Sequence, residues 1–286
     1  MLKIKYFIEF LIIIIFFLIF KILGLKLSSY IGGKLGNLIG PFFRSKKKIK
    51  TNILRALPNL QPKEIEKIIK YMWNNYGRIL SEYMFMKQFR ETKLNSNITL
   101  EGQEILNQIR NNGEKVIFIS GHFNNFELMA MQIEKSGINL AAIYRPLNNI
   151  FLNVIMEKIR KKYICKNQIK KGKTGIRELL YLFKTGHSIA LMIDQRVSQG
   201  IKSEFFGNEA YTTTIPAQFI KKYNCKIVPL YIERFNGTHF KIKIYEPIKY
   251  TENTPTEKIT KDLNSLLEKM ILNNPEQWIW SHDRWK

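Results

Sequence analysis

The sequence predicts an α/β protein: a single sheet domain flanked by helices, with an apolar anchor helix at the N-terminus. Three observations predict it. From about residue 100, short β-branched runs alternate with helical stretches. The most apolar segment lies at the start of the chain. Between these regions there is neither an internal repeat nor a low-complexity linker. A chain of 286 residues is long enough to bury one large core. The expected division is an anchor over 1–25 and a domain over 26–286.

The anchor is "YFIEFLIIIIFFLIFKILGL", Tyr6 to Leu25. As a helix it would reach ~30 Å, about one hydrocarbon core. Glu9 and Lys21 sit near its ends, where they can snorkel, so a span and a shallow, half-inserted helix both remain open. Lys26, Lys34, Arg44, Lys46, Lys47, Lys48 and Lys50 follow it, whereas Lys3 and Lys5 precede it. This bias predicts that the domain stays on the cytoplasmic side of its membrane. The "RSKKKIK" run would add attraction to anionic headgroups.

Helical spacing continues over Glu64–Phe85. "EILNQIRN" predicts a helix, "KVIFIS" (Lys115–Ser120) a buried strand, and a further helix starts near Asn125. "LAAIY" (Leu140–Tyr144) is a strand and Ile150–Lys162 a helix. "GIRELLYLF" is a helix, "SIALMI" (Ser188–Ile193) a strand, "IPAQFIKKY" a helix and "KIVPLYI" (Lys226–Ile232) a strand. "FKIKIY" adds a strand, and a last helix covers roughly Glu257–Leu272.

The net charge of +23 favours acidic partners: anionic lipid, an acidic protein or nucleic acid. No zinc finger or aromatic-rich basic motif supports nucleic acid. Cys165 and Cys225 form no CxxC pair and read as small core residues. The four histidines show no metal-ligand spacing. "GKT" at 172–174 lacks the first glycine of a phosphate-binding loop, since Asn167 stands there.

The chemistry points to "ISGHFNNFEL", residues 119–128. The strand ends at Ser120, Gly121 permits a turn, and His122 falls in the strand-to-helix corner. In open α/β sheets ligands bind at that edge. Glu127 fits a purely structural role, as the N3 residue of an Asn-x-x-Glu capping box on Asn124. It also fits a catalytic one. With His122 in the turn and Glu127 in the first helical turn, the carboxylate can meet one ring nitrogen and free the other to take a proton from a hydroxyl.

With these segments in view, the sequence resembles the lipid A biosynthesis late acyltransferases (lauroyl and myristoyl transferases), within the wider H-x-x-x-x-D/E glycerolipid acyltransferases. The resemblance runs over nearly the whole chain. It includes "EGQEILNQIRNNGEKVIFISGHFNNFE", "YRPLNN", the helix carrying Arg160, "MIDQR", "FFG", the threonines before Pro216 and "PEQWIWSHDRWK". Many members read HFGNWE here, so Asn124 replaces a glycine and Phe126 a tryptophan. Asp283 stands where the C-terminal motif often has a second arginine.

The resemblance implies a mixed-sheet acyltransferase domain. It implies transfer of a fatty acyl chain from acyl carrier protein to a hydroxyl of a lipid A precursor (Kdo-lipid IVA). His122 would be the base and Glu127 its partner, without a covalent intermediate. Arg160 would stabilise the oxyanion or hold a phosphate, and Asp194 would position Arg160 or the acceptor. Arg145, Asn125 and Gln195 would contact substrate. No metal, nucleotide or other cofactor is implied. Other acceptors are a lysophospholipid, an ornithine lipid or another glycolipid. A membrane-tethered nucleic-acid binder or scaffold is the rival of a different class.

Overall fold

The computed structural model describes residues 2–286, and the side chains of these except Thr92, Lys93, Asn95 and Lys173. Helix α1 (Leu2–Phe43) is broken at Gly24, which has φ 76° and ψ 167°. Across the break the Ser28 hydroxyl donates to the Phe20 carbonyl at 2.6 Å. The first half is long and apolar enough to cross a membrane, with a mean hydropathy of 2.8 in its most apolar window. One stripe, including Phe10, Ile13, Phe17 and Phe20, packs on the body. The opposite stripe, Ile8, Ile12, Ile15, Ile19 and Ile22, is exposed. Near its start, Phe7 and Phe10 meet Phe151.

Past the break at Gly24 the chain continues as helix to Phe43. This second half lies on α3 (Pro62–Glu82), with α2 (Lys46–Ala56) between them in sequence. Gly32, Gly36 and Gly77 allow the two backbones to touch, as small residues do wherever helices approach closely. A Cβ on Gly77 would sit 1.9 Å from the Gly32 carbonyl oxygen. Gly77→Ala should therefore destabilise the chain by about 1–3 kcal/mol of overpacking, because a backbone oxygen cannot turn away as a side chain can. Alanine's helix preference returns only about 1 kcal/mol. Denaturant melts in detergent check this; an unchanged midpoint would mean that the helices separate at no cost.

Next come α4 (Met86–Arg90), β1 (Ile98–Glu101), α5 (Gln103–Asn111), β2 (Ile117–Ser120), α6 (Glu127–Lys135) and β3 (Leu140–Tyr144). They are followed by α7 (Ile150–Ile159), β4 (Asn167–Lys170), α8 (Lys173–Lys184) and β5 (Ser188–Met192). The chain ends with β6 (Ile201–Phe205), β7 (Asn208–Thr212), α9 (Ile215–Tyr223), β8 (Ile227–Asn236), β9 (His239–Ile244) and α10 (Thr256–Asn273). Seven strands form one mixed sheet in the order β1-β9-β8-β2-β5-β3-β4. Strands β8, β2, β5, β3 and β4 run parallel, while β9 turns back antiparallel on β8. Every residue of β2 is buried, as a central parallel strand between two helical layers must be.

The α/β expectation is met, and the structure adds three features to it. Edge strands β1 and β4 are four residues each and too polar to stand out. The β6–β7 hairpin is polar on one face; Phe206 and Gly207, with φ of 51° and 67°, form its two-residue turn. The helix expected through Lys162 stops at Ile159 and widens into a π-helical turn, Arg160–Ile164. Such turns re-aim side chains and recur at functional sites.

Candidate active site

Strands β2 and β5 are parallel neighbours, with Ser120 beside Met192. Their carboxyl ends therefore deliver His122 and Asp194 to the same edge of the sheet. Gly121 makes the close approach possible: a Cβ there would lie 2.9 Å from the Phe123 ring and 3.2 Å from Asp194 Oδ2. Asp194 is fully buried. Its Oδ1 meets His122 Nδ1 at 2.8 Å. Its Oδ2 accepts the His122 backbone N–H at 2.7 Å and the Trp278 indole N–H at 2.9 Å.

An ionised carboxylate can only accept, so Nδ1 carries the proton and Nε2 keeps its lone pair. The Gln195 amide nitrogen lies 3.5 Å from Nε2. The Phe126 ring packs edge-on at 4.8 Å from the imidazole. A small crevice of about 20 Å³ opens beside His122, walled mainly by Met72, Ile79, Phe126, Trp278 and Ile279, with Asn124 and Gln277 at its polar side.

Burial alone would lower the pKa of His122, but the charge and hydrogen bond of Asp194 outweigh it. Glu127 adds to the effect, and the net direction is upward from 6.5. Burial likewise pushes Asp194 up, and His122 outweighs that, so its carboxyl falls to about 2. The pair is built to hold an imidazolium.

Glu127 does not take the ring nitrogen that the sequence assigned to it. It is the first residue of α6, and its Oε1 accepts from Arg160 Nε at 2.8 Å and Nη2 at 2.6 Å, and from the Tyr83 hydroxyl. A full guanidinium charge from the π-helical turn outcompetes a neutral imidazole for the carboxylate. The capping box on Asn124 is not formed either. Asn124 has φ 42°, a left-handed turn residue three places before the helix, and Phe126 is the N-cap. Asparagine tolerates that region, so the corner keeps its shape without a glycine there.

Asp194 is set to orient His122 rather than Arg160. Arg160 is held by Glu127 and Tyr83, and its buried Nη1 has no partner among the described residues. Gln195 joins the His122–Asp194 pair. Asn125 is buried, and its amide donates to Glu82 Oε2 at 2.9 Å. Arg145 is exposed just past β3 and is bonded to neither cluster. Sequence reasoning missed Tyr83, Trp278 and Gln277. Gln277 accepts from the Asn124 amide at 2.6 Å. The C-terminal motif signalled the latter two; Tyr83 sits in an amphipathic helix and gave no sign.

A histidine on the loop after a central strand, its Nδ1 held by a buried aspartate and its sequence in the H-x-x-x-x-E spacing, fits the class of acyltransferases. The particular family follows from comparison. The family model described as bacterial lipid A biosynthesis acyltransferase matches residues 1–286, and the chain belongs to that family. It is similar to the lipid A biosynthesis acyltransferase 2 of Shigella flexneri, 23% identical over 86% of this chain and 80% of the relative. The lipid A biosynthesis myristoyltransferase of Escherichia coli K12 is 23% identical over 89% of this chain and 80% of its own. The palmitoleoyltransferase of the same strain is 22% identical, with coverages of 90% and 84%.

Proposed function

We propose that this acyltransferase moves a fatty acyl chain from acyl carrier protein to a hydroxyl of a Kdo-bearing lipid A precursor, with His122 as general base. The observation that carries the reading is the Nδ1–Asp194 bond, which leaves Nε2 as the proton acceptor beside Gln195 and the apolar crevice. Nε2 takes the acceptor's hydroxyl proton as the oxygen attacks the thioester carbon. A C–O bond forms, the C–S bond breaks, and the imidazolium returns the proton to the leaving thiolate. No covalent enzyme intermediate is needed. Asp194 holds the tautomer and offsets the transient positive charge.

Glu127 contributes in two ways. It anchors Arg160, whose unpartnered Nη1 is a donor for the oxyanion or for a phosphate of the acceptor, and its charge raises the pKa of His122. Arg145, exposed just past β3, lies on a segment that would meet the acceptor, whereas Asn125 is turned inward onto Glu82.

The test is an assay with the membrane-reconstituted enzyme, acyl carrier protein donors of several chain lengths and Kdo-lipid IVA. The expected product is heavier by one acyl chain. Acylation of a lysophospholipid or ornithine lipid instead, with Kdo-lipid IVA untouched, would move the reading to that acceptor. Because carrier and enzyme are oppositely charged, apparent affinity should weaken as the Debye length shortens through ~10 Å near 0.1 M salt. Equal use of coenzyme A donors at every salt level would count against a carrier site.

The lysines that follow α1's apolar half support a cytoplasmic domain on the bacterial inner membrane, where acyl carrier protein is found. A C-terminal reporter should read as cytoplasmic. A periplasmic reading would remove the donor and the mechanism with it.

A further inference from the structure

We propose that Glu82 is a positioning residue that holds the His122 corner through Asn125. The proposal rests on the reading of His122 as the base. Glu82 ends α3 in full burial. Its Oε1 accepts from Arg234 Nη1 at 2.5 Å and from the Ser29 hydroxyl at 2.7 Å. Its Oε2 accepts from Arg234 Nη2 at 3.0 Å and from the Asn125 amide at 2.9 Å. One buried carboxylate thus ties together α1, α3, the end of β8 and the catalytic loop.

The loop is gripped on both sides of the same point. Arg234 exchanges backbone bonds with the Gln277 side chain, at 2.8 Å each way, and Gln277 holds both the amide side chain and the backbone N–H of Asn124. The residue that follows α3, Tyr83, opens a 3-10 turn and bonds Glu127. Two consecutive residues, the last of α3 and the one after it, therefore fix Asn125, on the loop that carries His122, and Glu127, at the start of α6. Asn124 is in a left-handed turn that a loose loop would leave readily.

A charged pair is not needed here for stability alone. Well-packed apolar residues replace a buried ion pair at little or no cost, whereas losing one partner strands a charge. What an apolar pair cannot do is accept from Asn125. Because α3 is locked onto α1 through Gly32 and Gly77, the same carboxylate also ties the membrane-proximal helix to the reaction centre.

The experiment compares Glu82→Leu/Arg234→Met, Asn125→Ala and their combination in the full chain. Melting temperature, steady-state kinetics and hydrogen exchange of residues 119–128 are the readouts. The double variant should fold with a melting point lowered by the unpaired Ser29 hydroxyl and Asn125 amide, lose about 10–100-fold in kcat through misplacement of His122, keep its KM values, and show faster exchange in 119–128. Asn125→Ala should do the same, and the combination should cost no more than the worse of the two, since one contact is removed twice. Wild-type kcat, or unchanged exchange, in a folded variant overturns the proposal; so do losses that multiply. If the charge-free pair fails to fold, Asn125→Ala decides alone by the same two readouts. Exchange does not depend on the substrate, so a loosened loop in a chain with no lipid A acylation would fault the proposed function and leave the positioning role standing.

Discussion

Asp194→Asn is expected to remove nearly all turnover from a chain that still folds. The amide offers one acceptor where the carboxylate serves three donors: the His122 backbone, the His122 ring and the Trp278 indole. If its NH2 group faces the ring, Nδ1 must become the acceptor, the proton moves to Nε2, and the base points the wrong way. In the Ser-His-Asp template the same substitution costs about 10⁴-fold. His122→Ala should cost at least ~10²–10⁴-fold.

The pH profile separates this role from simple scaffolding. His122 must be neutral to act, so activity falls as pH drops through its pKa, which lies above the usual 6.5. Residual activity in Asp194→Asn should show that limb moved to lower pH. The stability consequence has the opposite direction. A raised folded pKa means that the pair stabilises fully below about pH 6.5, and this is lost as pH rises through the folded value. Asp194, held near 2, stays ionised throughout that window. A folded Asp194→Asn enzyme with the wild-type rate and profile would remove Asp194 from the mechanism.

The central strands and the His122 corner were legible because their signals are local. β2 is an unbroken apolar run ended by serine and glycine, and "LAAIY" and "IPAQFIKKY" match β3 and α9 residue for residue. The partner of His122 was not legible, because it depends on which strand lies beside β2. Asp194 is 72 residues away in sequence but emerges from the adjacent strand. Spacing favoured Glu127 because it is near in the chain. Its real partner, Arg160, arrives on a π-helical turn that periodicity reads as plain helix. The glycines of α1 and α3 were visible, but nothing local said that they face each other.

Glu127→Gln is the variant on which the two carboxylates part company. Glutamine keeps one acceptor oxygen, so the Arg160 side chain is not abandoned, but it loses the charge that Nε and Nη2 both address. A hydrogen bond to a charged group is worth about 1.5–3 kcal/mol, and a loss of that order is expected in the melt. Had Glu127 been a capping residue, glutamine would have served equally well and neither stability nor rate would move. Had it held the His122 ring, its loss would match that of Asp194→Asn.

The arrangement with Arg160 and Tyr83 gives a third outcome. Turnover should fall by about 10²-fold as the guanidinium loses its place. The acidic limb should also move to lower pH, since Glu127's charge helps to raise His122, but by less than in Asp194→Asn, because Asp194 is the larger influence and remains bonded. Measured above the acidic limb, where the influence of Glu127 on His122 protonation no longer shows, combining Glu127→Gln with Arg160→Gln should cost no more than the worse single change, because both remove one pair. Multiplying losses would mean that Glu127 acts on the reaction by a route that does not pass through Arg160.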